Sequence, residues 1–161
     1  MAGFRMTESE IWDFVANAHT GTMTTLRRDG MPISLPLWFA IIDRAVYVQT
    51  RGKKLLRLAN DPRASFLVES GDFWAELSAV HFTGQAEQIK PDTELLSAIE
   101  AEISRKYDAF RLPPDEMPVA AAASYASTMR WVRFTPDERV LAWSNAKLLG
   151  RSRQGPSGRN Y

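Results

Sequence analysis

The sequence contains no cysteine. Disulfides, thiolate nucleophiles and Cys-ligated zinc or iron–sulfur centres are excluded together, and the absence fits a cytoplasmic setting. Histidine is nearly as scarce: His19 and His81 are the only two, far apart and with no carboxylate at ligand spacing, so no metal is expected. No G-x-S-x-G turn occurs, which leaves a Ser-His-Asp hydrolase without its nucleophile. No segment approaches the roughly 18 to 20 apolar residues that span a bilayer. Met1 to Met6 lacks the apolar core of a signal peptide, so an untargeted soluble protein is expected. Neither sign of charge is in excess: 20 Lys and Arg against 19 Asp and Glu leave +1. No global field therefore recruits nucleic acid or an anionic membrane, and any anion site is local.

What is present is ordinary globular material: 161 residues, 45% apolar and 24% charged, enough for one domain with a core. Thr7-Glu8-Ser9-Glu10 is a capping-box pattern ahead of Ile11, Phe14, Val15 and Ala18 at helical spacing, which predicts a helix over Glu8 to Asn17. Thr22 to Leu26, a turn at Arg28-Asp29-Gly30, and Ile33 to Ile42 read as a hairpin. Asp43-Arg44 then makes a tight connection into a third strand, Ala45 to Thr50. Lys53 to Asn60 reads as a helix that buries Leu55, Leu58 and Ala59 and stops at Asp61-Pro62. Ala64 to Glu69 is a strand, and Ala75 to Ile89 is a long one whose interior Gly84 marks a bulge. Pro91 opens a helix with Leu95, Leu96, Ile99, Ile103 and Tyr107 on one face, expected to lie across a barrel opening. Val119 to Ser127 is open between helix and loop, while Met129 to Thr135 and Arg139 to Ser144 read as a final hairpin around Pro136-Asp137. The fold class is therefore mainly β with flanking helices, six to seven antiparallel strands closing as a barrel. One domain is expected over residues 1–149; residues 150–161 have nothing to bury and are expected to be mobile.

The stretch Tyr47-Val48-Gln49-Thr50-Arg51-Gly52-Lys53-Lys54 is the most informative chemically. A strand end passes through a Gly-bearing turn into a helix start, where unpaired amides and a partial positive charge collect. Thr50 adds a hydroxyl and the lysines add full charges, a combination suited to a phosphate. The alternative is a solvated helix face carrying Arg51, Lys53, Lys54 and Arg57, but lysine at a helix start opposes the dipole, which favours a resident anion. His19 reads as a cation near a helix end and His81 as a cross-strand residue. Trp74, Trp131 and Trp143 read as core or dimer contacts rather than stacking platforms.

Gly21-Thr22-Met23-Thr24-Thr25, Asp29-Gly30-Met31-Pro32, Pro36-Leu37-Trp38-Phe39, Tyr47-Val48-Gln49-Thr50, Lys53-Lys54 and Leu58-Ala59-Asn60-Asp61-Pro62 form an ordered set. In order and spacing the set resembles the pyridoxamine 5′-phosphate oxidase-like proteins, especially their deazaflavin-dependent branch. A weaker likeness runs through His81-Phe82-Thr83-Gly84, so that the whole covers about residues 7 to 148. The resemblance implies a split β-barrel of the flavin-reductase-like kind, an oxidoreductase, and a homodimer with the cofactor at its interface. It implies that Pro36, Leu37 and Trp38 lie at the isoalloxazine ring, with Thr50, Lys53 and Lys54, joined by Arg57, at the phosphate.

The departures from the family pattern also carry information. A family lysine near the flavin falls at Phe39, a glutamine falls at about Ala79, and the C-terminal arginine and histidine pattern for substrate is missing, so vitamin B6 oxidation is not expected. Loss of two polar contacts to the ring edge shifts the preferred cofactor from FMN to coenzyme F-420. Its longer anionic tail suits Arg51 and Arg57, or Arg27 and Arg28 where they lie nearby. The implied reaction is hydride transfer to a planar conjugated small molecule such as a quinone, an unsaturated lactone or a tetrapyrrole. An FMN oxidoreductase of the same fold and a non-catalytic flavin or haem carrier are the alternatives. No side chain stands out as catalytic.

Overall fold

The computed structural model describes residues 3–113, 115–120 and 128–148. In chain order they form α1 (Glu8–Asn17), β1 (Gly21–Leu26), β2 (Pro32–Leu37), β3 (Ala40–Ile42), β4 (Ala45–Thr50), α2 (Lys53–Asn60), β5 (Arg63–Ser70), β6 (Ser78–Ile89), α3 (Thr93–Tyr107), a short 3-10 turn (Asp108–Phe110) and β7 (Arg130–Ser144). α1 begins where the sequence predicts because its capping box closes: Thr7 Oγ1 accepts from the Glu10 amide at 3.3 Å, and Glu10 Oε2 accepts from the Thr7 amide at 2.6 Å. Asp43 and Arg44 both take positive φ, 49° and 62°, as a two-residue turn matched to strand twist requires.

All seven strands join one antiparallel sheet in the order β2-β1-β5-β6-β7-β4-β3. β2 and β3 are thus opposite edges, although only Trp38 and Phe39 separate them in the chain. Three Cα steps reach at most about 11 Å, whereas the outer strands of a flat seven-stranded sheet stand about 29 Å apart. The sheet therefore curls on itself into a half-barrel, split between β2 and β3.

Alternation turns one face of the sheet inward, and Met23, Val46, Val48, Phe66, Val80, Phe82, Val132 and Phe134 fill the interior. Each such side chain contributes about 1.5–3 kcal/mol on burial, so packing dominates the polar contacts described below. α1 closes one end with Val15 and with Trp12 stacked 5.2 Å from Phe82. α2 closes the other with Leu58, its Arg57 reaching Thr25 near the end of β1. Gly21 admits no side chain, since a Cβ there would sit 2.1 Å from the Phe66 ring.

Several expectations are corrected. Ile33 to Ile42 is not one strand, because the Trp38-Phe39 link crosses between sheet edges and divides it into β2 and β3. Pro136-Asp137 does not turn the chain: β7 runs through it, and Pro136 faces Gly84 at the β6 bulge. A bulge tolerates a residue without an amide proton, and a Cβ on Gly84 would lie 2.2 Å from the Thr135 carbonyl oxygen. β6 starts at Ser78 rather than Ala75, leaving Phe73 and Trp74 exposed on the preceding turn, so Trp74 is no core residue. α3 packs on the outer face of β3 and β4, Ile99 against Ala40 and Tyr47, and not across an opening. Its cap is Asp92, accepting from the Leu95 amide at 2.9 Å, one residue beyond Pro91. Ala59 faces solvent. Residues 150–161 and 121–127, including most of Val119 to Ser127, lie outside the described residues.

Candidate functional site

The turn from β4 into α2 gathers cations. Gly52 caps α2 at φ 64°, no side chain bonds to the helix N-terminus, and the first turn holds no acid. Lys54 is half-buried, and its pKa is pushed down by burial first, then by the positive charges of Arg57 and Arg51. Among the described residues Lys54 has no acidic partner, so an anion arriving there would offset the repulsion within the trio. Arg57 Nε donates to Thr25 Oγ1 at 2.7 Å, which fixes the guanidinium under the helix. Thr50 shares the inward parity of Val46 and Val48, and its Oγ1 is buried with no hydrogen-bond partner. A buried hydroxyl without a partner costs about 1–3 kcal/mol, an incentive to meet a ligand oxygen.

Thr50, Lys54 and Arg57 of the expected phosphate residues thus come together with Arg51. Lys53 does not join them: it is exposed and is absent from the charges acting on Lys54. Arg27 is taken by Asp29 at 2.8 Å. The sequence reading missed Thr25, because a threonine alternating in a strand carries no sign of an arginine from a helix 32 residues away.

Of the expected ring residues, Pro36 and Leu37 end β2 and Trp38 begins the link after it. Thr25, under Arg57, pairs with Ile33 at one end of that strand, and Thr22 pairs with Pro36 at the other. Ile33 to Leu37 spans about 13 Å, so an edge strand leads away from the cations over the length of a fused ring system. Pro36 is exposed and Leu37 half-buried. Trp38 is 40% exposed and stacks by its other face on Tyr107, with centroids 4.4 Å apart and planes 7° from parallel. Tyr107 Oη accepts from the Phe39 amide at 2.9 Å and donates to the Phe39 carbonyl at 3.0 Å. Burial drives the Tyr107 pKa up to about 12, so the phenol keeps the proton that this double bond uses. Beside it Lys106 is 4% exposed, its Nζ unbonded and 3.5 Å from the Phe39 ring centroid. Phe39 and Ala79 are both buried and offer nothing polar to a ring edge.

The outer sheet face carries a row in register, Pro36, Thr22, Leu67, His81 and Leu141, crossing five strands. His81 is therefore a cross-strand residue, and His19 lies with its ring 4.6 Å from Phe110. A concavity of about 610 Å³ opens between α1 and the β1–β5 pair; its carboxylates Asp13 and Glu69 make it unsuitable for a phosphate. Among the described residues no group of His, Asp and Glu could hold a metal, and no helix is long and apolar enough to cross a membrane.

The seven strands make a split barrel with a cation cluster at its β4–α2 turn. The family model described as pyridoxamine 5′-phosphate oxidase matches residues 7–143, and the chain belongs to this family. Among solved structures it is similar to the conserved hypothetical protein Rv2991 of Mycobacterium tuberculosis, with 29% identity over 100% of this chain and 96% of that one and a TM-score of 0.75. HutZ, the haem storage protein of Vibrio cholerae, shares 15% identity over 84% of this chain and 94% of its own, with a TM-score of 0.64. An FAD-binding protein of Mycobacterium smegmatis shares 20% identity over 87% of this chain and 98% of its own, with a TM-score of 0.58. A comparison with curated proteins finds no match.

Proposed function

We propose that the chain is an oxidoreductase that holds a phosphorylated deazaflavin, coenzyme F-420, along β2, and passes hydride to a planar conjugated small molecule. The observation that carries this reading is the group of Arg51, Lys54 and Arg57, which runs from the turn before α2 to its last turn, with the orphaned Thr50 hydroxyl at the end of β4. Positive charge from Arg57 and Arg51 beside Lys54 favours the longer anionic tail of F-420 over FMN. The apolar positions at Phe39 and Ala79 weigh the same way.

When bound, such a cofactor supplies the hydride chemistry. The chain's own residues bind and orient. Lys54, Arg57 and Thr50 hold the phosphate, and Pro36, Leu37 and Trp38 line the ring, with Trp38 braced from behind by Tyr107. Exposed Leu141 on the outer face, with exposed Met31 and Trp38 flanking β2, supports a homodimer that covers the ring.

FMN bound in the same place is the second reading; the FAD-binding name of the Mycobacterium smegmatis neighbour supports a flavin on this fold. A non-catalytic flavin or haem carrier is a reading of another class, supported by the name of HutZ. Steady oxidation of reduced F-420 by the purified protein with a panel of quinones and unsaturated lactones tests the preferred reading. Binding without turnover across that panel would leave the carrier.

A further inference from the structure

Four segments converge on the groove of about 610 Å³: the last turn of α1, the link after it, the start of β1 and the end of β5. Its size falls within the range of about 300–1,000 Å³ typical of small-molecule sites. Strand register sets its place. Thr22 lines the groove and is the cross-strand partner of Pro36, so the groove borders the ring end of β2, opposite the end where Thr25 meets Arg57.

Its chemistry is opposite as well. Asp13 and Glu69 bring carboxylates into the lining, no Lys or Arg lines it, and among the described residues neither carboxylate forms an ion pair. Asn17, Thr20 and Ser70 add uncharged hydrogen-bonding groups, and Phe14 and Leu67 give an apolar floor. His19 lines the groove, and its ring lies 4.6 Å from that of exposed Phe110 and tilted 56° to it, which puts an aromatic edge at the rim. A second concavity across α1 shares Asp13 but also holds a cation, Arg44, which pairs with Glu8 and lies 6.0 Å over Trp12.

We propose that this groove is the acceptor subsite and that it selects a planar molecule bearing a cationic nitrogen, an amine or amidinium, over a carboxylate or phosphate. Its role as acceptor subsite rests on the cofactor lying along β2; its preference for a cation rests on the groove alone. Two unpaired carboxylates attract an organic cation and repel an anion of the same shape, so selectivity comes from both.

Isothermal titration of the full chain with benzamidine, and with benzoate as the anion of matching shape, tests this. Benzamidine is expected to bind about tenfold or more tightly than benzoate. Asp13→Asn and Glu69→Gln are each expected to weaken benzamidine about threefold or more while leaving F-420 and FMN affinity within about twofold. Leu67→Trp fills the floor without changing charge and is expected to block the probe; thermal melts confirm that each variant folds. No benzamidine binding, equal binding of benzoate, or indifference to both neutralised carboxylates overturns the cation preference, even where a cofactor binds. Benzamidine held by Asp13 and Glu69 in a chain that binds neither cofactor overturns the acceptor assignment.

Discussion

Lys106→Met is expected to stabilise the protein at neutral pH, although it removes a cation from the C-terminal turn of α3, where cations are normally favourable. Lys106 is 4% exposed, its Nζ makes no hydrogen bond, and Glu102 one turn away is engaged by Arg105 through two contacts of 2.7 Å. Burial pushes its pKa down from 10.5 to about 8. That drop corresponds to about 3 kcal/mol against the charged form as an upper figure. The Phe39 face, 3.5 Å from Nζ, returns about 1–2 kcal/mol. Burial therefore wins by about 1 kcal/mol, and methionine keeps a favourable sulfur contact with the ring. The expected gain is about 2–4 °C in Tm.

The sign of the pH dependence follows from the same shift. The folded pKa lies below the unfolded one, so the stability carried by the neutral amine is complete above 10.5 and lost as pH falls through about 8. The wild type should gain on the variant between those values. Urea unfolding of both proteins at about pH 7 and about pH 10, followed by tryptophan fluorescence, measures the difference with other titrations cancelling. A variant less stable than wild type at neutral pH, or a gap that does not move with pH, refutes the reasoning.

Three further outcomes are expected. Tyr107→Phe leaves the buried Phe39 amide and carbonyl unpaired and should cost about 2–4 kcal/mol by equilibrium unfolding; a loss under about 0.5 kcal/mol would show that the link is held otherwise. Because the Tyr107 pKa is raised to about 12, its contribution is full below about pH 10 and lost as pH rises through 12, a decline that Tyr107→Phe should abolish. Gly84→Ala forces a Cβ to 2.2 Å from backbone at the bulge and should cost about 2–3 kcal/mol in a thermal melt; full stability would mean that β7 shifts freely there. Lys54→Ala should weaken cofactor binding about tenfold or more, while exposed Lys53→Ala changes it by less than about threefold; equal effects would return Lys53 to the site.

Local signals were legible where one segment determines its own structure. The Thr7–Glu10 capping box set the start of α1, and Asp61-Pro62 set the end of α2. Gly84 announced its bulge, but Pro136 was misread as a turn because its partner on another strand, not its neighbours, explains it. The break between β2 and β3 was invisible for the same reason: periodicity continues through Trp38 and Phe39, and only closure of the sheet makes them a crossing. At the site, Lys53 and Lys54 looked equivalent until the helix turned one outward and the other toward Arg57. Tyr107 was read as one more apolar residue of α3, whereas its hydroxyl spans 68 residues of sequence to hold Phe39. Lys106 gave no signal, since a lysine near a helix end normally lies in water.

The central claim is that the β4–α2 turn holds the phosphate end of a deazaflavin or flavin. Fluorescence titration of the wild type and of Lys54→Ala with F-420 and with FMN, at low and high salt, tests it most directly. F-420 binding more tightly than FMN, with an affinity that falls with salt and falls again in Lys54→Ala, is the predicted result. Failure of both to bind, or affinity indifferent to salt and to Lys54, would contradict it.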